Sequence, residues 1–103
     1  MVPWYHYVAA FFAGAFLTNT VPHFVNGISG EPFPTPFSKP PGKGLSSPTV
    51  NVVWALFNLV IGYTLFEAGS LTGGDRVTLV VFFAGIAAIS IMSSLSFAKK
   101  YSK

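Results

Sequence analysis

No formally charged side chain precedes Glu31, none lies between residues 44 and 66, and none between residues 77 and 98. A hydrocarbon core of about 30 Å is crossed by roughly 20 apolar helical residues rising about 1.5 Å each. Each uncharged stretch is long enough for one crossing. The expected fold is therefore all-α, a single membrane domain over residues 1–103 with three transmembrane helices. Composition agrees, because a 103-residue chain that is 51% hydrophobic and 9% charged has more apolar side chain than a soluble domain of that size can bury. The absence of cysteine excludes disulfides, thiolate nucleophiles and iron–sulfur ligation. A net charge of +3 raises nucleic acid as a partner, but six dispersed Lys and Arg residues make a poor phosphate-binding surface. They read better as topology signals.

The first helix is expected over residues 4–27, opening on an interfacial belt of Trp4, Tyr5 and Tyr7. Pro22 lies late in it and should kink it near Thr18. Residues 1–17 lack the basic residue of a leader peptide, so Met1 is expected to begin the mature chain. Ser47 and Pro48 form an N-cap and first-turn proline for a second helix over 48–67. A third is expected over 75–98, with Asp75 as its cap. Residues 29–48 hold six prolines, at 32, 34, 36, 40, 41 and 48, interleaved with Phe33 and Phe37. That pattern forbids regular helix. An ordered loop along the membrane interface is expected, with Phe33, Pro34, Pro36 and Phe37 as a docking element; a free linker is the alternative. Three crossings put Lys39, Lys43, Lys99, Lys100 and Lys103 on one side and Arg76 alone on the other. The basic side is cytoplasmic by the positive-inside rule, which leaves the N-terminus outside.

Polar groups inside a bilayer are costly and therefore informative. Asn19, His23 and Asn26 share one face of the first helix. Asn51, Ala55, Asn58 and Gly62 line a small-and-polar stripe on the second, and Ala87, Ser90, Ser94 and Ala98 repeat that spacing on the third. At about 1.5 Å per residue, His23, Asn51, Ser93 and Ser94 fall at one depth, with Asn19, Asn58 and Ser90 in a second layer nearer the centre. The candidate intramembrane cluster is Asn19, His23, Asn26, Asn51, Asn58, Ser90 and Ser94. Helix association explains it most simply, since small residues let backbones approach and polar ones bond across the contact. The pairs Ala10/Gly14, Gly14/Thr18 and Ala84/Ala88 support the same reading. A ligand or ion site lined by His23, Asn19, Asn51 and Asn58 is the second reading. The third is His23 as axial ligand to haem or chlorophyll. His6 reads as an interfacial anchor among aromatic rings.

Enzyme chemistry finds no foothold. The three acidic residues form no close pair, no metal-ligand spacing occurs, and Gly42-Lys43-Gly44 lacks the strand and helix of a phosphate loop. No catalytic residue, no metal and no resident cofactor is expected.

The run Asn19-Thr20-Val21-Pro22-His23-Phe24, followed by Phe33-Pro34-Thr35-Pro36-Phe37, by Pro41-Gly42-Lys43-Gly44-Leu45-Ser46-Ser47 and by Asn51-Val52-Val53-Trp54, resembles a family of small bacterial integral membrane proteins of uncharacterised activity. The likeness covers roughly residues 15–63. It implies a bacterial inner or intracytoplasmic membrane and this architecture, and no reaction. The expected function is an accessory or packing subunit that meets lipid and other membrane subunits or its own copies. A transport or small-molecule-binding module is the alternative.

Overall fold

The computed structural model describes residues 3–69 and 76–98. It is all-helical: α1 spans Trp4–Ile28, α2 Pro48–Ala68 and α3 Arg76–Phe97. All three helices are long and apolar enough to cross a membrane. At 25 residues, α1 is about 37 Å long.

Local chemistry sets the helix ends. The Ser47 hydroxyl accepts from Val50 N at 3.2 Å, with Pro48 in the first turn of α2, where its missing N–H leaves no bond unmade. α1 stops in a Schellman arrangement, in which Gly30 N donates to Gly27 O and Glu31 N to Asn26 O. Gly30 has φ +75°, the left-handed conformation this motif requires and glycine adopts at no steric cost. α1 is helical throughout, Pro22 included. One turn later Asn26 Nδ2 donates to Pro22 O at 2.7 Å. The Asp75 cap and the lysines after Ala98 lie outside the described residues.

α1 is the central helix, and α2 and α3 pack on it rather than extensively on each other. Its contact with α3 depends on the absence of two side chains. A Cβ on Gly14 would collide with Phe82 O, and one on Gly85 with Phe11 O. Such backbone-to-backbone approach is how helices associate where lipid removes the hydrophobic drive. Ala10 and Ala13 are fully buried at this level, beneath Leu65, Phe66, Val81 and Phe82. The Phe66 and Phe82 rings meet at 5.7 Å, joining α2 to α3 near the end remote from the Pro-rich loop. α3 is the least enclosed of the three, with only Thr78 and Gly85 buried.

Candidate functional site

The buried residues of α2 are Asn51, Ala55, Asn58 and Gly62, the stripe expected from spacing. Two layers of polar contact join it to α1. In the first, His23 Nδ1 and Asn51 Oδ1 are 2.7 Å apart, with both residues at 2% exposure or less. In the second, Asn19 Nδ2 donates to Asn58 Oδ1 at 3.2 Å, and Asn58 Nδ2 donates to Trp54 O at 2.8 Å. The pairing of His23 with Asn51 and of Asn19 with Asn58 follows the two depths read from the sequence.

The neighbours of Asn51 decide the tautomer of His23. Asn51 Nδ2 lies 2.9 Å from Phe33 O, 3.0 Å from Ser47 O and 3.2 Å from Ser46 O. Carbonyl oxygens only accept, so this end of the amide is the NH₂ and the oxygen faces the imidazole. His23 must then donate from Nδ1. The neutral ring keeps a lone pair on Nε2, which forms no hydrogen bond among the described residues.

Through these bonds Asn51 holds the Pro-rich loop. Phe33 and Ser46 form an antiparallel bridge, with Phe33 N donating to Ser46 O and Ser46 N to Phe33 O, and Asn51 reaches both of those carbonyls. Thr35 is the loop's second anchor. Its carbonyl accepts from Ser38 N, Ser38 Oγ and Gly42 N, while its hydroxyl meets Ser46 Oγ at 2.6 Å and accepts from Phe37 N. Prolines supply no N–H, so a loop this rich in them satisfies its carbonyls through serine, threonine and the few remaining amides. Aromatic rings close over the imidazole. Phe33, Phe97 and Trp54 have centroids 5.3, 6.3 and 6.5 Å from the His23 ring.

Three parts of the expected site need correction. Ser90 and Ser94 are exposed, and Ser94 Oγ turns back to Ile91 O at 2.7 Å. Ser94 lies nine residues beyond buried Gly85, about two and a half turns, which carries it to the opposite side of α3. Ser90 and Ser94 therefore lie on an outward face of α3, because Gly85 is the position that abuts α1. Asn26 is half-buried and bonds within its own helix instead of joining the cluster. The expected docking element also divides. Phe33, at 5% exposure, and Pro34 are interior, whereas Pro36 and Phe37 are exposed. Phe37, at 64% exposure, sets its edge on Trp54 with centroids 5.1 Å apart.

Four participants had no site role assigned from sequence: Thr35, Ser46 and Trp54, which stand in the quoted motifs, and Phe97. A threonine between two prolines and a serine just before an N-cap are detectable as potential turn-formers. The position of Phe97 under the loop depends on the rotation of α3, which no local pattern encodes. Among the described residues no group of three His, Cys, Asp or Glu side chains could hold a metal ion. At the second end of the molecule His6 packs edge-on against Tyr5 at 5.1 Å.

Comparison with protein-family models, with curated proteins and with solved structures finds no match.

Proposed function

We propose that the chain is a small, non-enzymatic accessory subunit that crosses a membrane three times, N-terminus outside and Pro-rich loop cytoplasmic, and packs sideways against other membrane subunits or its own copies. The supporting observation is the contrast between helices. Asn19, His23, Asn51 and Asn58 of α1 and α2 are turned inward and bond across to one another, whereas Ser90 and Ser94 lie on an exposed face of α3. Small hydroxyl residues on a spanning helix favour close approach of a neighbouring helix, and α3 is the helix with most surface to offer. Phe37 offers a second exposed apolar surface, beside Val50, Val53 and Phe57 of α2. The orientation rests on five lysines against one arginine, and the bacterial membrane on the resemblance alone.

Purification from the native membrane in mild detergent, read by native mass spectrometry with an absorption spectrum, tests this reading. The expected result is comigration with other subunits or a stable homo-oligomer, weakened by Ser90→Leu with Ser94→Leu. A monomer that leaves every partner behind overturns it. A visible absorption band would instead support the pigment reading through His23, which requires the ring cage around that imidazole to open.

A further inference from the structure

An apolar groove opens on the outward side of α2 at its loop end. It holds about 530 Å³ and is lined by Phe37, Thr49, Val50, Val53, Trp54 and Phe57, a volume within the range of small-molecule sites. Val50, Val53, Trp54 and Phe57 recur at intervals of three, one and three, so they share one face. That face runs about 10 Å down the helix from its first turn. Phe37 supplies a wall from the loop: its ring meets Trp54 edge-on at 5.1 Å, and Trp54 stacks on Phe57 at 5.7 Å. All of these side chains except Trp54 are exposed. An open apolar face along a helix axis suits a hydrocarbon chain standing along the bilayer normal.

The mouth of the groove, at the loop, is basic. Lys39 follows Phe37 by two residues, so the two backbones are within about 7 Å. Lys43 returns to the same turn. Its N–H donates to Pro40 O at 3.1 Å, as Gly44 N does at 2.9 Å, and a Cβ on Gly44 would strike Lys39 O. Both lysines are exposed, and neither side chain forms a hydrogen bond or ion pair among the described residues. Glu31, the acidic residue of this loop, sits on the closing turn of α1 and pairs with neither. A lysine stem lies along apolar surface while its ammonium group reaches toward water and headgroups.

We infer that this groove binds a phospholipid with an anionic headgroup, one acyl chain lying along Val50, Val53 and Phe57 and the phosphate meeting Lys39 and Lys43. Charge complementarity selects this occupant. A zwitterionic lipid brings the same phosphate together with an ammonium group that the lysines repel. An apolar helix would fill the groove and leave both lysines without a counter-charge. Attraction to an anionic leaflet is general to exposed lysines; the groove adds a single saturable place for one chain. Membrane crossing and the cytoplasmic side of the loop, where anionic lipid is enriched, are carried over from the proposed function. The accessory role is not: it concerns α3 and is tested by comigration, whereas lipid selectivity tests the groove.

The Trp4→Phe variant leaves Trp54 as the single indole, set in the groove wall. The full chain is reconstituted in phosphatidylcholine bilayers and titrated with phosphatidylglycerol carrying dibrominated acyl chains, against phosphatidylcholine carrying the same chains. The anionic lipid should quench Trp54 saturably, at a mole fraction about tenfold lower than the zwitterionic one. Equal curves overturn the proposal. Lys39→Gln with Lys43→Gln should bring the curves together, and a preference that persists refutes the basic mouth. Phe37→Ser removes a wall and keeps both lysines; it should abolish the advantage while the loop stays resistant to protease, since Phe37 is mostly exposed. Phe57→Ser, farther from the loop, should do the same. An advantage that survives both variants is surface attraction without a groove site and overturns the proposal. Soluble glycerophosphoglycerol should not displace the lipid; displacement would mark a phosphate site that needs no chain, and refutes the groove. Native mass spectrometry should show one retained phosphatidylglycerol, whereas a lipid-free dimer that dissociates in Phe37→Ser would assign the groove to a second copy instead.

Discussion

Asn51 accepts from His23 Nδ1 through its side-chain oxygen at 2.7 Å and donates through its nitrogen to Phe33 O at 2.9 Å. One buried amide thereby links α1, the Pro-rich loop and α2. No other natural side chain of similar size both accepts at one end and donates twice at the other.

Asn51→Asp tests that dual role. The carboxylate can still accept from His23 but cannot donate to the loop carbonyls, so the variant should lose the loop's order nearly as fully as Asn51→Leu. Each buried group left unmatched costs about 1–3 kcal/mol. Unfolding of the reconstituted protein and proteolysis of the loop should both report the loss. A wild-type loop in the Asp variant would show that the three carbonyl contacts contribute nothing.

The two loop phenylalanines should behave differently. Phe33 is interior and Phe37 is mostly exposed. Phe33→Ser is expected to raise tryptic cleavage after Lys39 and Lys43 at least about tenfold, equivalent to about 1.4 kcal/mol of easier opening. Phe37→Ser should change the rate much less. Equal effects would mean that both rings hold the loop alike.

The approach of α1 and α3 admits no side chain at Gly85. Because the chain has no cysteine, a Phe66→Cys, Phe82→Cys pair reports the α2–α3 contact by cross-linking alone. Adding Gly85→Val should suppress that cross-link by displacing α3, while the resistance of the loop to protease falls less. Undiminished cross-linking would show that the helices close without the glycine.

The Asn19–Asn58 pair should matter less than its depth suggests. Asn58 keeps its bond to Trp54 O when Asn19 is lost, and interhelical polar pairs in membranes average about 0.6 kcal/mol. Asn19→Leu should therefore cost about that much in a reversible unfolding assay. A loss of several kcal/mol would reveal a network extending beyond the pair.

How much of this was legible in the sequence varies with the range of the interaction. The absence of charge defined the helices, Ser47-Pro48 marked a helix start by local chemistry, and the four-three-four spacing on α2 selected its buried face residue by residue. The two depths of polar contact followed from helical rise alone. The outward turn of Ser90 and Ser94 was not legible, because a stripe identifies a face but not the neighbour it meets, and Gly85 was decided by its fit to Phe11 O. The role of Thr35 was not legible for a related reason: its partners, Ser38, Gly42 and Ser46, come together only through the fold of the loop. Gly30 carried no reading from the sequence, because its part in closing α1 emerges only with the bonds from Glu31 to Asn26 and from Gly30 to Gly27.

Among the described residues, the hydrogen bonds from Asn51, Thr35 and Ser46 that fasten the loop run between residues 23 and 51. None of them requires α3. During synthesis the first two helices and their connection can accordingly form these bonds while the third is still being made. The last helix then docks against a completed surface through Gly85, and Phe97 comes to rest on His23 and Phe33. Assembly order is in this way written into the placement of one asparagine near the start of α2.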